Sequence, residues 1–219
     1  MFQKEYWERK SLEERRSPGH PVVRDYVVPK IDWIRRFVPI GPQTRLLDVG
    51  CGNGFFSYYF DKICRVVGVD YSHQMLSRNP IGQKCQMDAG RLAFPDLTFD
   101  AVFCHALLHH VEDLDQVLSE MKRVSRKYVV VLEPNPANPL MFLFSFLVPE
   151  ERKALSFSAP YLKGKLEKAG LILTASCAYG MIVPNKAPTF LSPLLRWFNF
   201  PQPWGMTHIL VAERKSPGF

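Results

Sequence analysis

No run in this sequence is long and apolar enough to cross a membrane. The longest, "PLMFLFSFLVP" at 139–149, is about half of the ~20 residues a spanning helix needs, and prolines close it at both ends. The first residues, "MFQKEYWERKSLEERR", are charged from the start, so no signal peptide is expected. Cysteine is sparse: there are five, an odd number, with no CxxC pair. That argues against a disulfide framework and against a zinc site, and predicts buried, reduced thiols in a cytoplasmic protein. Internal repeats, low-complexity tracts and flexible linkers are missing too. The 219 residues therefore read as one domain, 1–219, and at 47% hydrophobic they can fill a core.

Acidic residues are outnumbered, 21 against 28 Lys and Arg, for a net charge of +7. Much of the excess lies in residues 1–40, where "ERKSLEERR" and "WIRRF" mix both signs. Solvated helix faces account for such a pattern. An acidic substrate, an anionic membrane surface or a nucleic acid would exploit it.

What is present alternates. Residues 1–16 read as a charged helix or arm, "SPGHP" (17–21) as a break, and Val27, Ile31, Ile34 and Val38 as one helix face, with Pro29 at its start or a kink. Strands are predicted at 45–50, 65–70, 84–89, 99–104 and 127–134, and helices at 54–63, 72–79 and 112–125. A helix at 160–170 ends on Gly170, and 171–179 and 207–214 read as two last strands. Short β-rich runs between helices call for a parallel sheet covered on both faces.

"LLDVGCGNGFFS" (46–57) puts three glycines into five positions directly after the first strand. In an open parallel sheet, ligands bind outside the carboxyl ends of the strands, so a nucleoside-like ligand is expected to cross Gly50-Cys51-Gly52-Asn53-Gly54. The dinucleotide template G-x-G-x-x-G fails at its third glycine, where Phe55 stands. Asp48, Asp70 and Asp88 lie at or near the ends of three successive strands. Such a rim suits a ligand carrying donors and positive charge, and would repel a pyrophosphate. Asp70 is placed to accept from a ribose diol, and Asp88-Ala89 from an adenine amino group.

"LLDVGCGNG", "VVGVDYSHQML", "CQMDAGRLAFPDLTFDAVFCHALLHHVED" and "EMKRVSRKYVVVLEPN" resemble, in order and spacing, the class I S-adenosylmethionine-dependent methyltransferases, over roughly residues 40–135. The resemblance implies an α/β, Rossmann-like fold with a seven-stranded, mostly parallel sheet, helices on both faces and an antiparallel last strand. It implies S-adenosyl-L-methionine as cofactor. It divides the chain into an N-terminal helical arm (1–40), a cofactor-binding core (41–135) and apolar inserts at 136–160 and 180–206. By the same resemblance, Asp48, Gly50, Cys51, Gly52, Asn53 and Gly54 line the methionine and ribose part of the cofactor. Asp70 holds the ribose hydroxyls, Tyr71 and Met75 flank the adenine, and Asp88 and Ala89 meet its edge. Cys104 and His105 sit near the sulfonium methyl, and Tyr6 or Trp7 closes over the site.

His105 and Glu133, at the ends of the fourth and fifth strands, are the candidate bases. His109 and His110 read as structural residues near a helix start, and no metal site is predicted. Enzymes of this family that methylate exocyclic amines of bases usually carry an Asn/Asp-Pro-Pro-aromatic run after the fourth strand. Here that place reads "CHALLHHV", which makes nucleic acid the lesser reading. The inserts are rich in Phe, Trp and Pro, so the expected acceptor is small and apolar or lipid-like. The same inserts suit a homodimer contact or peripheral membrane contact, with an interfacial helix at 188–200 and Lys186 and Arg196 near headgroups. The alternatives are a non-catalytic, cofactor-binding partner subunit, or a methyltransferase acting on nucleic acid or protein.

Overall fold

A computed structural model describes residues 15–215. In chain order its elements are α1 (Pro21–Ile34), β1 (Arg45–Val49), α2 (Ser57–Phe60), β2 (Arg65–Asp70), α3 (His73–Ser77), β3 (Lys84–Gln86), β4 (Phe99–His105), α4 (Leu114–Val124), β5 (Ser125–Pro134), α5 (Pro139–Leu147), α6 (Ala159–Lys168), β6 (Leu171–Tyr179), α7 (Ser192–Arg196) and β7 (Thr207–Arg214). Short 3-10 turns at Leu108–His110, Pro149–Ser156 and Thr189–Leu191 connect them.

The strands form one seven-stranded sheet in the order β3-β2-β1-β4-β5-β7-β6. β1 to β5 pair in parallel, and β7 runs antiparallel to both β5 and β6. The chain goes outward from β1 to β3 and then crosses to β4, so the order reverses between β1 and β4. That reversal opens a crevice at the strands' carboxyl ends. Alternate strand residues enter two cores: Leu46 and Val130 pack with α1, Phe56 and Phe60 on one face, and Leu47 and Val129 with α4 and α6 on the other. Burial on both faces explains why these strands read as continuous apolar runs.

The strands at 171–179 and 207–214 fall where expected, and several other elements differ. Helix 54–63 shrinks to Ser57–Phe60, because Gly54 has φ +91° and cannot be helical. β3 stops at Gln86 rather than residue 89; Asp88 then turns the chain, accepting from Gly90 N at 2.9 Å. α1 begins at Pro21, where the missing N–H does no harm, capped by His20 Nδ1 accepting from Val22 N. Pro29 lies inside it and leaves the carbonyl of Asp25 without its i+4 donor. The side-chain amide of Asn199 donates to that carbonyl instead. Residues 188–200 do not form one helix: a 3-10 turn and α7 share the segment. Tyr6 and Trp7 lie outside the described residues.

Candidate functional site

The glycine turn follows directly from β1. Gly50 N and Cys51 N both donate to Val69 O, at 2.8 and 3.0 Å, which pins the turn to the end of β2. Gly50, Gly52 and Gly54 all have positive φ, +72°, +52° and +91°, a region other residues enter only at a cost. A Cβ on Gly50 would lie 2.8 Å from a Leu107 methyl, and one on Gly54 2.5 Å from Asn79 Oδ1. A Cβ on Gly52 would meet nothing within 4 Å. The bare backbone therefore has two causes, positive φ at all three positions and close packing against the protein's own side chains at two.

The turn forms one wall of a cavity of about 540 Å³ at the carboxyl end of the sheet, within the usual size of small-ligand sites. Gly50, Cys51, Gly52, Asn53, Asp70, Tyr71, Met75, Asp88, Ala89 and His105 all line it. Asp70 is held from two sides: Gly52 N donates to one carboxylate oxygen at 2.7 Å and Ser72 N to the other at 2.8 Å. Met75 is 3% exposed and half of α3's inward face, while Tyr71 is exposed beside it. Asn53 donates to Arg16 O at 3.0 Å, and the Arg16 guanidinium donates to Pro184 O at 2.8 Å. The chain before α1 thus bridges the glycine turn and the 180–206 segment.

Three residues expected at the cavity stand behind it. Asp48 is buried and accepts from Ser57 Oγ at the start of α2. Burial raises its carboxyl to about 7, against the pull of the Ser57 hydrogen bond. The expected rim of three acids is therefore two, Asp70 and Asp88, because Asp48 points into the α1-side core. Gly54 is packed against Asn79, and Cys104 is fully buried among the apolar residues under α4. Burial pushes the Cys104 thiol well up, so it is inert.

The ends of β4 and β5 carry the two expected bases, and their surroundings change the reading of both. His105 Nε2 faces Tyr26 Oη at 2.8 Å, and that hydroxyl lies 3.2 Å from Thr207 Oγ1. Burial, with Lys30 nearby, lowers His105 to about 3, so it is neutral at pH 7. Burial raises Tyr26 to about 12, so it keeps its proton. Glu133 has both oxygens engaged. Leu107 N and Leu108 N donate to Oε1 at 3.0 and 2.7 Å, and His109 Nδ1 donates to Oε2. His109 Nε2 faces Glu151 at 3.1 Å. Burial alone would lower His109, but Glu133 and Glu151 outweigh it and raise it to about 9. The Glu133 carboxylate is thereby tied to two backbone donors in the turn after β4 and to the buried His109 ring. Within that turn Ala106 sits at φ +49°, a strained conformation facing the cavity.

His109, His110 and Glu151 offer ligand atoms within 4.8 Å of one another, but both ring nitrogens of His109 are already taken by carboxylates. Sequence reasoning did not find Tyr26, Thr207 or Glu151. They come from α1, β7 and the 149–156 turn, and no local motif announces them. Met141 and Phe144 on α5, with Ile182 and Val183, also line the cavity.

Residues 47–131 match the family described as a methyltransferase domain. The chain is 31% identical over 225 residues to 2-methyl-6-phytyl-1,4-hydroquinone methyltransferase of a Synechocystis species, covering 90% of this chain and 70% of that one. It is 40% identical over 93 residues to phosphatidylethanolamine N-methyltransferase of Cereibacter sphaeroides, covering 38% of this chain and 46% of that protein's length. Among solved structures it is similar to a methyltransferase from Thermotoga maritima, with TM-score 0.69 at 18% identity over 89% of this chain and 92% of the other. A magnesium protoporphyrin IX methyltransferase from Synechocystis with bound SAH superimposes with TM-score 0.67 at 16% identity, over 98% and 99% of the two chains. At these identities the structures show the fold alone.

Proposed function

Because the chain belongs to the class I S-adenosylmethionine-dependent methyltransferases, we propose that it transfers the methyl group of S-adenosylmethionine to a small acceptor with an apolar body. The observation that carries this is the mixed lining of one cavity: Asp70, Asp88 and the glycine turn give it polar walls, and Met141, Phe144, Ile182 and Val183 give it apolar ones. Two of the relatives are named for a phytyl-bearing hydroquinone and for phosphatidylethanolamine. A reactive head on an apolar tail is the acceptor class this cavity suits.

The residues present fit the cofactor. A carboxylate offers about four lone-pair sites, so Asp70 can anchor the turn and still accept from ribose hydroxyls. Tyr71 and Met75 are assigned the faces of the adenine, and Asp88 and Ala89 its edge. Gly50, Cys51, Gly52 and Asn53 are assigned the methionine and ribose part. Asp48, Gly54 and Cys104 support that wall from behind. When bound, the cofactor supplies a methyl already activated by a sulfonium.

The chain's task is then alignment, which can supply about 7–11 kcal/mol of a barrier. His105 is neutral and weakly basic, and Tyr26 keeps its hydroxyl proton. Together they present a fixed polar pair that orients the acceptor. Neither is a strong base at pH 7, so the reading favours an acceptor that loses its proton readily. Glu133 is assigned to positioning.

Calorimetric titration with S-adenosylhomocysteine, followed by turnover assays with isoprenoid quinols and lipid-linked amines, tests this. Binding with turnover on an apolar acceptor supports the proposal. Absence of binding overturns it. Binding without turnover on any acceptor points to a cofactor-binding partner subunit.

A further inference from the structure

α5 is inside out. A helix on a water-soluble domain turns its apolar stripe to the core and its polar side to water. In "PLMFLFSFL" the one polar side chain, Ser145, is the buried residue of the helix. Leu140, Phe142, Leu143, Phe146 and Leu147 are each between 51% and 64% exposed. The second insert repeats the anomaly: Phe190 and Trp197 are 80% exposed, Leu194 59% and Trp204 61%. Single exposed apolar residues are ordinary, whereas a contiguous group marks an interaction site.

The two segments are joined. Asn138 caps α5 by accepting from Leu140 N and Met141 N at 3.0 Å, and its amide donates to Trp204 O. The segments also meet at the cavity, with Met141 and Phe144 from one and Ile182 and Val183 from the other. The exposed apolar residues thus belong to the same two segments that line the cavity with Met141, Phe144, Ile182 and Val183.

Charge narrows the occupant. Residues 134–149 carry none, the Glu150, Glu151, Arg152 and Lys153 that follow cancel one another, and 180–206 carry two charges, Lys186 and Arg196, both positive. A second copy related by a two-fold axis would present the same patch to itself. That would set Lys186 and Arg196 against their own copies, and the acid beside Arg196, Asp25 at 3.8 Å, is already engaged within the chain. Tryptophan, phenylalanine and leucine flanked by basic residues are instead the makeup of segments that lie in a lipid interface. No helix among the described residues is long and apolar enough to span a membrane. We propose that α5 and the 188–204 segment seat the protein on the surface of an anionic lipid bilayer, with the cavity walls that these segments supply turned toward the lipid. The chain docks without spanning, and an acceptor with a hydrocarbon tail passes from the bilayer to the cavity between the two segments.

The inference extends the proposed function by naming where the acceptor comes from. Its test needs neither acceptor nor turnover, so the two can fail separately. The full chain is floated with vesicles of phosphatidylcholine, alone or with roughly a third phosphatidylglycerol, in the wild type and in the double variant Phe146→Glu/Trp197→Glu. Both side chains are exposed and neither lines the cavity. The wild type is expected to float with the anionic vesicles. Partition should fall at least tenfold, or about 1.4 kcal/mol, on neutral vesicles and in the variant, while the variant's affinity for S-adenosylhomocysteine is unchanged. A wild type that stays unbound with both vesicle types overturns the proposal. So does light scattering that shows a dimer in the wild type, a monomer in the variant and no vesicle binding by either.

Discussion

Glu133→Gln separates a scaffold from a base. In the structure the carboxylate accepts from Leu107 N, Leu108 N and the buried His109 ring. A glutamine can still accept from the two backbone donors through its amide oxygen. Its amide nitrogen then faces Nδ1–H of His109, donor against donor, and the imidazolium keeps only Glu151 as its counter-charge. Breaking a buried pair by removing one partner costs about 3–5 kcal/mol. The shift of His109 sets the scale. Glu133 and Glu151 together raise it from 6.5 to about 9; at about 1.4 kcal/mol per pH unit that gap is worth about 3 kcal/mol, of which Glu133 supplies a part. The sign follows from proton binding. The folded state holds the proton more tightly, so this stabilisation is complete below pH 6.5 and is lost as pH rises through about 9. The assay is urea unfolding of wild type and variant at pH 6, 8 and 10. At pH 6 the variant should be less stable by about 3–5 kcal/mol; the difference should already be smaller at pH 8 and shrink further at pH 10. With about 2–4 °C of Tm per kcal/mol for a chain of this size, the thermal midpoint falls by roughly 6–20 °C. A variant with wild-type stability and a methyl-transfer rate reduced a thousandfold would refute the reasoning and restore Glu133 as a base.

Asp70→Ala removes the acceptor of two backbone hydrogen bonds and the proposed ribose acceptor; charged-acceptor bonds of about 1.5–3 kcal/mol predict S-adenosylhomocysteine binding weaker by roughly 10–150-fold in calorimetry. Gly54→Ala forces a Cβ to 2.5 Å from Asn79 Oδ1 at φ +91°. A loss of about 2 kcal/mol or more in chemical unfolding is expected, and an unchanged midpoint would refute the packing argument. Lys30 is fully buried, its ammonium 3.6 Å over the Tyr26 ring and bonded to Tyr26 O. Burial holds it well below 10.5, so folding loses stability as pH falls below the ordinary lysine range. Lys30→Met keeps the packing without the charge and should raise stability at pH 7 by about 1–3 kcal/mol in urea unfolding.

The strands were legible because both sheet faces are buried. Apolar runs such as "RVVGVD" and "KYVVVLEP" admit few other structures, and the two last strands fall on the expected residues. The helix after the glycine turn was less legible, because positive φ at Gly54 takes its first turn away and periodicity carries no record of φ. Asp70 ends β2, and a strand's carboxyl end is visible in its own pattern; Asp88 lines the cavity from the turn two residues beyond β3, not from a strand end. Asp48 was placed on the same rim by the same rule and is not there. Its position one residue before the strand's last directs it to the α1 side, where Ser57 meets it.

The sequence by itself determined the parallel α/β core, the turn that three glycines make and the acids beside it, since each depends on residues a few positions apart. It also determined that two segments would be apolar. Only the tertiary structure decided which groups meet across distance: Tyr26 with His105 and Thr207, Glu133 with His109 and Glu151, and Asn199 with the carbonyl that Pro29 leaves open. It also decided that the apolar faces of α5 turn outward around a buried serine. Burial, counter-charge and exposure are set by neighbours from other elements. They fix whether a histidine is a base or an imidazolium, and whether a phenylalanine is core or contact surface.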